Sequence, residues 1–371
     1  MASTRRGFVS TSIRTSMGML WGAAKVAAIP YIAMLALLYA FQRTLIFPRP
    51  SEVVDPEQFG GQLVLLTASE ELQTRFSVEP KLPTTAAAAA AAAAWEVGNV
   101  AAVHYKAPPG APTLVYIHGN ADQIGWGAAY LGQAFSERHG MGFFGIEFPG
   151  YGVSRGFKTN EESMYLATEQ LLKHLQDPEG LGVHPDNIVL IGQSIGSAVA
   201  LEMSLRGYGK RLILIAPFMS MGAIAKQLFP FIKPGLFVAP WLIRDPFNNG
   251  EKGSQVDVPA MVVHGDWDEI VPYEQGKALS KIIPGAQLFT VSKGGHNDLF
   301  GSQLEPLVLN AISAFVNDGR DRRAEDRALW FQPSRSHSAS EYSPPPSSPE
   351  VQSDYEYRSG DSSAGDEGPS R

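Results

Sequence analysis

Between residues 111 and 316 the chain alternates short apolar runs with stretches whose apolar positions recur at helical spacing. Residues 113–117, 143–147, 187–191, 211–215, 260–263 and 287–291 read as strands. Their hydrophobicity is nearly continuous, which is the pattern of parallel strands buried on both faces. Residues 161–176 and 195–205 keep apolar residues three and four apart and read as helices, the first capped by Asn160. Upstream, 62–67 and 100–105 read as antiparallel strands at the leading edge. The alternation predicts an open, mostly parallel α/β sheet flanked by helices. In such sheets reacting groups gather on loops at the carboxyl ends of the strands.

The flanks follow other patterns. Residues 20–41, LWGAAKVAAIPYIAMLALLYAF, hold Lys25 as their single charge. At 1.5 Å per residue they make about 33 Å of helix, enough to cross a bilayer. The run exceeds the roughly 7 to 15 apolar residues of a signal-peptide core, so an anchor is expected. Residues 1–50 carry six Lys or Arg and no acid. The positive-inside rule then gives a cytosolic N-terminus and a luminal or exoplasmic domain on an endomembrane. The acid-free leader 1–19, rich in Ser, Thr and Arg, also fits a presequence, with a mitochondrial or plastid membrane as the alternative. Residues 319–371 are dominated by charge, Ser, Pro and Gly and are expected to be a disordered tail. Nine consecutive alanines at 86–94 mark a low-complexity insertion at 83–95. One folded domain, 42–318, remains.

Composition narrows the partners. Apolar residues make up 44% and charged residues 18%, which suits a globular core. The net charge of -7 hides a basic start and an acidic middle, which argues against nucleic acid as a partner. The chain has no cysteine, so disulfides, thiol nucleophiles, Cys-ligated zinc and S-palmitoylation are excluded.

The strand at 187–191 runs into Gly192-Gln193-Ser194-Ile195-Gly196 and then an apolar helix. This is G-x-S-x-G in the strand-turn-helix setting its mechanics need, where the glycines allow a sharp turn and the serine hydroxyl stands exposed. A serine nucleophile needs a base held by an acid. His296, in Gly294-Gly295-His296-Asn297 after the last strand, is the best placed of eight histidines. His118 and His264 each end a strand before a glycine and read as local hydrogen-bonding groups. Asp266, Asp268 and Glu269 compete for the acid, with Asp268 favoured at the loop apex and Asp266 next. The order Ser, Asp, His differs from that of the other common serine folds. An oxyanion needs two backbone N–H donors. Ile195, directly after the serine, supplies one, and the loop His118-Gly119-Asn120-Ala121 the other, with Asn120 favoured over Ala121.

His-Gly-Asn-Ala, Phe148-Pro-Gly-Tyr-Gly-Val-Ser154, Gly-Gln-Ser-Ile-Gly, Gly-x-x-Asp-x-x-Val-Pro and Gly-His-Asn-Asp together resemble the α/β-hydrolase superfamily over about residues 40 to 316. More narrowly, the chain is similar to membrane-anchored serine hydrolases of the fungal bud-emergence type and to animal α/β-hydrolase-domain lipid hydrolases. The resemblance implies an α/β-hydrolase fold with a short cap and acyl transfer to Ser194, with His296 moving the proton and Asp268 orienting it. It implies no metal and no organic cofactor. The apolar segment 218–249 takes the place of the cap. Its Met219, Met221, Phe229, Phe231, Phe237 and Trp241 either line an acyl channel, contact the bilayer or pack the cap onto the core. The expected activity is membrane-anchored hydrolysis of carboxylic esters or thioesters of lipid-like substrates such as lysophospholipids or monoacylglycerols. Alternatives are a serine peptidase, a protein depalmitoylase or an inactive membrane scaffold. Depalmitoylases of this type carry an N-terminal cysteine cluster, where this chain has a hydrophobic span.

Overall fold

The computed structural model describes residues 28–50, 52–78, 98–232 and 240–318. The leader 1–19, the first part of the expected span, the alanine insertion, Phe237 and the tail 319–371 lie outside the described residues.

Among the described residues, eight strands form one sheet: β1 Gln62–Thr67, β2 Asn99–Tyr105, β3 Thr113–Ile117, β4 Gly142–Ile146, β5 Ile188–Gln193, β6 Arg211–Ile215, β7 Ala260–Gly265 and β8 Gln287–Val291. Their spatial order is β1-β2-β4-β3-β5-β6-β7-β8. β1 and β2 are antiparallel to each other, and β2 is antiparallel to β4; every later pairing is parallel. β5 starts one residue later than the pattern predicts, because Asn187 closes the 3-10 turn Pro185–Asn187.

Parallel neighbours require long crossovers, and helices supply most of them. They follow α1 Ala28–Ile46 and α2 Glu70–Phe76 in the order α3 Ala129–His139, α4 Glu161–Gln176, α5 Ile195–Leu205, α6 Met221–Leu228, α7 Tyr273–Ile282 and α8 Glu305–Asn317. α4 begins in a capping box, with Asn160 Oδ1 accepting from the Ser163 amide and Ser163 Oγ from the Asn160 amide, both at 3.0 Å. Alternate residues of each strand serve opposite faces. Val115, Ile117 and Phe144 join α2, α4 and α5 in one core, while Leu114, Tyr116 and Phe143 pack with α3 and α8 in the other.

α1 differs from the rest. Its 18-residue apolar window has a mean hydropathy of 1.4 and almost none of it is buried, so by length and composition it can cross a membrane. It runs five residues past the expected end at 41, and its last turn is built into the domain. Gln42 Nε2 donates to the Leu242 carbonyl at 2.9 Å, and Gln42 Oε1 accepts from the Arg244 amide at 2.8 Å. Phe47, just beyond, is buried edge-on to Phe247.

Candidate active site

Ser194 is the joint between β5 at the middle of the sheet and α5. Its backbone sits at φ +51°, ψ -117°, a region that L residues rarely adopt. The flanking glycines make this turn possible. A Cβ on Gly192 would stand 2.3 Å from the Gly196 carbonyl oxygen, and one on Gly196 would stand 2.1 Å from the Ile117 carbonyl oxygen. The Ser194 amide is tied to the Ile215 carbonyl of β6 at 2.8 Å, so the hydroxyl is left above the sheet edge.

Loops after β7 and β8 reach the same edge. His296 Nε2 lies 3.0 Å from Ser194 Oγ, and His296 Nδ1 lies 2.7 Å from Asp268 Oδ2. With the aspartate ionised, Nδ1 carries the proton and Nε2 offers its lone pair to the serine hydroxyl. Asp268 Oδ1 also accepts the amides of Ile270 at 2.9 Å and Val271 at 2.7 Å. Burial pushes the Asp268 carboxyl up, but hydrogen bonds from His264, His296 and the Val271 amide together hold it well below the usual carboxylate range.

The two competing carboxylates are placed differently. Asp266 is exposed and its Oδ1 accepts the Lys293 amide at 2.6 Å, which joins the β7 and β8 loops. Glu269 is exposed beside Gly295. His118 is fully buried and faces Glu147 Oε1 at 2.9 Å rather than the serine.

The loop after β3 lies across from Ser194. Ile195 opens α5, so its amide has no acceptor within the helix, and the helix dipole favours negative charge there. The Ala121 amide, at a residue with φ +58°, donates to Asn120 Oδ1 at 3.1 Å. Asn120 Oδ1 also accepts from the Tyr151 hydroxyl at 2.9 Å, and Asn120 Nδ2 donates to the Ile46 carbonyl at the end of α1.

An apolar cavity of about 1050 Å³ opens on Ser194 and His296. Among the described residues that line it, Asp122 is the one carboxylate and there is no Lys or Arg. Met221 and Phe229 of the expected cap set border it. Met219 does not: it packs against the core beside Gly250. Trp241 is 72% exposed and also lies off the lining. The sequence pattern did not single out Leu35, Leu38 and Leu45 of α1 or Trp126, Tyr130 and Phe300, which also line the cavity.

Two family models match the sequence, one described as serine aminopeptidase, S33, over residues 109–245, and one as TAP-like protein over residues 241–327. The alpha/beta hydrolase domain-containing protein 17B of Homo sapiens is 30% identical over 226 residues, 59% of this chain and 74% of that protein. The chain belongs to the α/β-hydrolase superfamily. The alpha/beta hydrolase domain-containing protein 17C of Mus musculus is 33% identical over 213 residues, which is 57% of this chain and 61% of that protein. Among solved structures, alpha/beta hydrolase domain-containing protein 10 from mouse is 17% identical with a TM-score of 0.46, covering 69% of this chain and 97% of its own. This α/β hydrolase is an enzyme of the serine hydrolase type.

Proposed function

We propose that the protein is a membrane-anchored esterase that cleaves lipid-like carboxylic esters, a monoacylglycerol or lysophospholipid being the substrate class that best suits the site. The observation that supports this most directly is the hydrogen-bonded chain Ser194–His296–Asp268 at 3.0 and 2.7 Å, opening on a cavity with apolar walls. Ser194 Oγ attacks the acyl carbonyl carbon while His296 Nε2 takes the hydroxyl proton, and Asp268 stabilises the imidazolium. The amides of Ile195 and Asn120 receive the oxyanion; Asn120 is favoured over Ala121, whose amide is already engaged by the Asn120 side chain. Collapse releases the alcohol, which takes the proton from His296. Water, deprotonated by the same histidine, then frees the carboxylic acid. The near absence of charge among the described residues that line the cavity suits an acyl chain, with a polar headgroup left towards solvent.

The matched aminopeptidase description favours a peptidase as the second reading. Asp122, the one carboxylate among the described lining residues, accepts the amides of Gln123 at 2.7 Å and Gly127 at 3.2 Å on Oδ1, and the otherwise apolar walls make the ester reading the preferred one.

Fluorophosphonate labelling of wild type beside Ser194→Ala tests the reaction, followed by turnover of a panel of acyl-glycerols, lysophospholipids and acyl-peptides. Labelling of wild type alone and turnover of the glycerol esters are expected. Turnover of acyl-peptides alone would make the peptidase reading correct. The anchor reading puts the catalytic domain on the luminal or exoplasmic side of an endomembrane. Protease protection of a tagged chain in sealed microsomes tests it, and full digestion there would reject it.

A further inference from the structure

α1 is apolar on two opposite faces, and each face has its own surroundings. Leu35, Leu38, Gln42 and Leu45 follow one another at three- and four-residue steps and, with Tyr39 four residues beyond Leu35, border the cavity that holds Ser194. Ile29, Leu37 and Phe41 stand exposed elsewhere on the helix. A water-soluble surface helix would carry polar residues there. The polar residues of the last turn instead fasten it to the body. Arg43 Nε and Nη2 meet buried Asp245 at 2.7 and 3.0 Å, and Gln42 bonds at both ends of its amide.

Higher on the helix, the Tyr31 hydroxyl donates to the Phe231 carbonyl of the cap at 3.2 Å. From Tyr31 to Gln42 is about 16 Å of helix axis at 1.5 Å per residue. Between these two fastenings α1 faces Ile224 and Leu228 of α6 across the open cavity. The length is that of an extended acyl chain. Leu228, Phe229 and Phe231 are exposed on the α6 side, so both flanks of this opening present apolar side chains to the surroundings of α1.

We propose that α1 is a wall of the acyl-binding site as well as an anchor, so that the substrate's acyl chain lies between α1 and α6 and reaches Ser194 sideways from the bilayer that holds the helix. This rests on the reading of the protein as a lipid esterase. Substrate then never has to leave the membrane, and the segment that locates the enzyme also selects chain length.

The test uses the full chain in phosphatidylcholine nanodiscs and a long-chain alkyl fluorophosphonate carrying a diazirine at the end of the chain. Ser194 Oγ bonds to phosphorus, fluoride leaves, and the hydroxyl proton passes to His296. Illumination turns the diazirine into a carbene that inserts into whatever surrounds the chain end. Adducts on residues 31–45 are the expected result. Phosphonylation of Ser194 with adducts confined to the Trp126, Tyr130 and Phe300 side would overturn the inference and leave the hydrolase reading standing. Absence of phosphonylation would overturn both. As a second measurement, Leu38→Trp narrows the gap, and the ratio of kcat/KM for a palmitoyl over a butyryl ester should fall at least tenfold. An unchanged ratio would count against α1 as a wall.

Discussion

His264 Nε2 lies 3.2 Å from Asp268 Oδ2 and 2.8 Å from the Val271 carbonyl oxygen, so a second buried imidazole supports the carboxylate that faces His296. Both neighbours are acceptors, so Nε2 carries the proton and Nδ1 the lone pair. Nδ1 is buried with no hydrogen-bond partner among the described residues, and a Cβ on Gly276 would crowd it closely. His264 is thus a positioning residue for Asp268. His264→Ala should lower kcat about tenfold with little change in KM, the scale of one lost hydrogen bond to a charged group, ~1.5 kcal/mol. His264→Gln keeps an N–H at similar reach and should recover part of the loss. Steady-state kinetics on a short ester, with circular dichroism to fix the folded fraction, separates this from a packing defect.

Asp268 also sets an acid limit on stability. Its folded pKa is depressed from 3.8, so its contribution is fully present above that value and is lost as pH falls through the folded pKa. His264→Ala removes one of the groups that depress it. The folded pKa then moves back towards 3.8 and the acid-stabilising contribution shrinks. Thermal melts between about pH 2 and pH 6 should show wild type and variant converging at the acid end. A gap that stays constant down to pH 2 would mean that His264 acts by packing alone.

The buried pair under the loop after β3 has the opposite sign. His118 Nδ1 faces the Gly119 carbonyl oxygen at 2.7 Å and Nε2 faces Glu147 Oε1 at 2.9 Å. Two acceptors require two N–H donors, which makes His118 an imidazolium. Burial lowers its pKa, but the hydrogen bond and charge of Glu147 overcome this and leave it raised from 6.5. Its stabilisation is therefore present below pH 6.5 and is lost as pH rises through the folded pKa. Glu147→Gln leaves a buried cation without its counter-charge and should cost about 3 to 5 kcal/mol near neutral pH. The melting-temperature gap between wild type and Glu147→Gln should narrow as the pH is raised, and a gap that widens would contradict the charged-pair account.

Much of this arrangement was legible in the sequence because it depends on local spacing. Gly192 and Gly196 announce a turn that no side chain at those positions would allow, and continuous apolar runs such as 113–117 announce strands covered on both faces. The cavity wall was not legible. Leu38 reads as a bilayer residue whether or not it also faces a pocket, and the contacts that seat α1 join positions about 200 apart in the chain. Met219 and Trp241 show the same limit from the other side. Apolar character at a cap position does not say whether a residue turns into the cavity, onto the core or outwards.

Arg43 and Asp245 give that long-range contact a measurable weight. The Asp245 carboxylate is buried, accepts both Arg43 nitrogens and also takes the Glu161 amide at 3.1 Å. Arg43→Ala strands the buried carboxylate and should cost about 3 kcal/mol, the lower end for breaking a buried ion pair, since Arg43 itself is partly exposed. Arg43→Lys keeps the charge but cannot form the two-pronged contact, so it should fall between. Thermal melts in detergent order the three proteins. Faster cleavage of the Ala variant near residues 47–52 in limited proteolysis would show that the loss is local to the seat of α1.

Asn120 joins that seat to the reaction. Its Nδ2 holds the Ile46 carbonyl, while its Oδ1 takes the Tyr151 hydroxyl at 2.9 Å and the Ala121 amide at 3.1 Å, so the side chain fixes the loop whose Asn120 amide is proposed to receive the oxyanion. Asn120→Ala leaves that backbone donor in place but removes what aims it. A misaimed oxyanion donor acts on the transition state more than on bound substrate, so kcat should fall about tenfold to a hundredfold while KM changes little. Tyr151→Phe removes one of the three contacts and should produce a smaller loss of the same kind. The rate of fluorophosphonate labelling offers a second readout, because the attack on phosphorus uses the same donors. It should slow in the order wild type, Tyr151→Phe, Asn120→Ala. Equal labelling rates in all three would mean that the loop holds its position without Asn120, and that its link to Ile46 serves only to seat the helix.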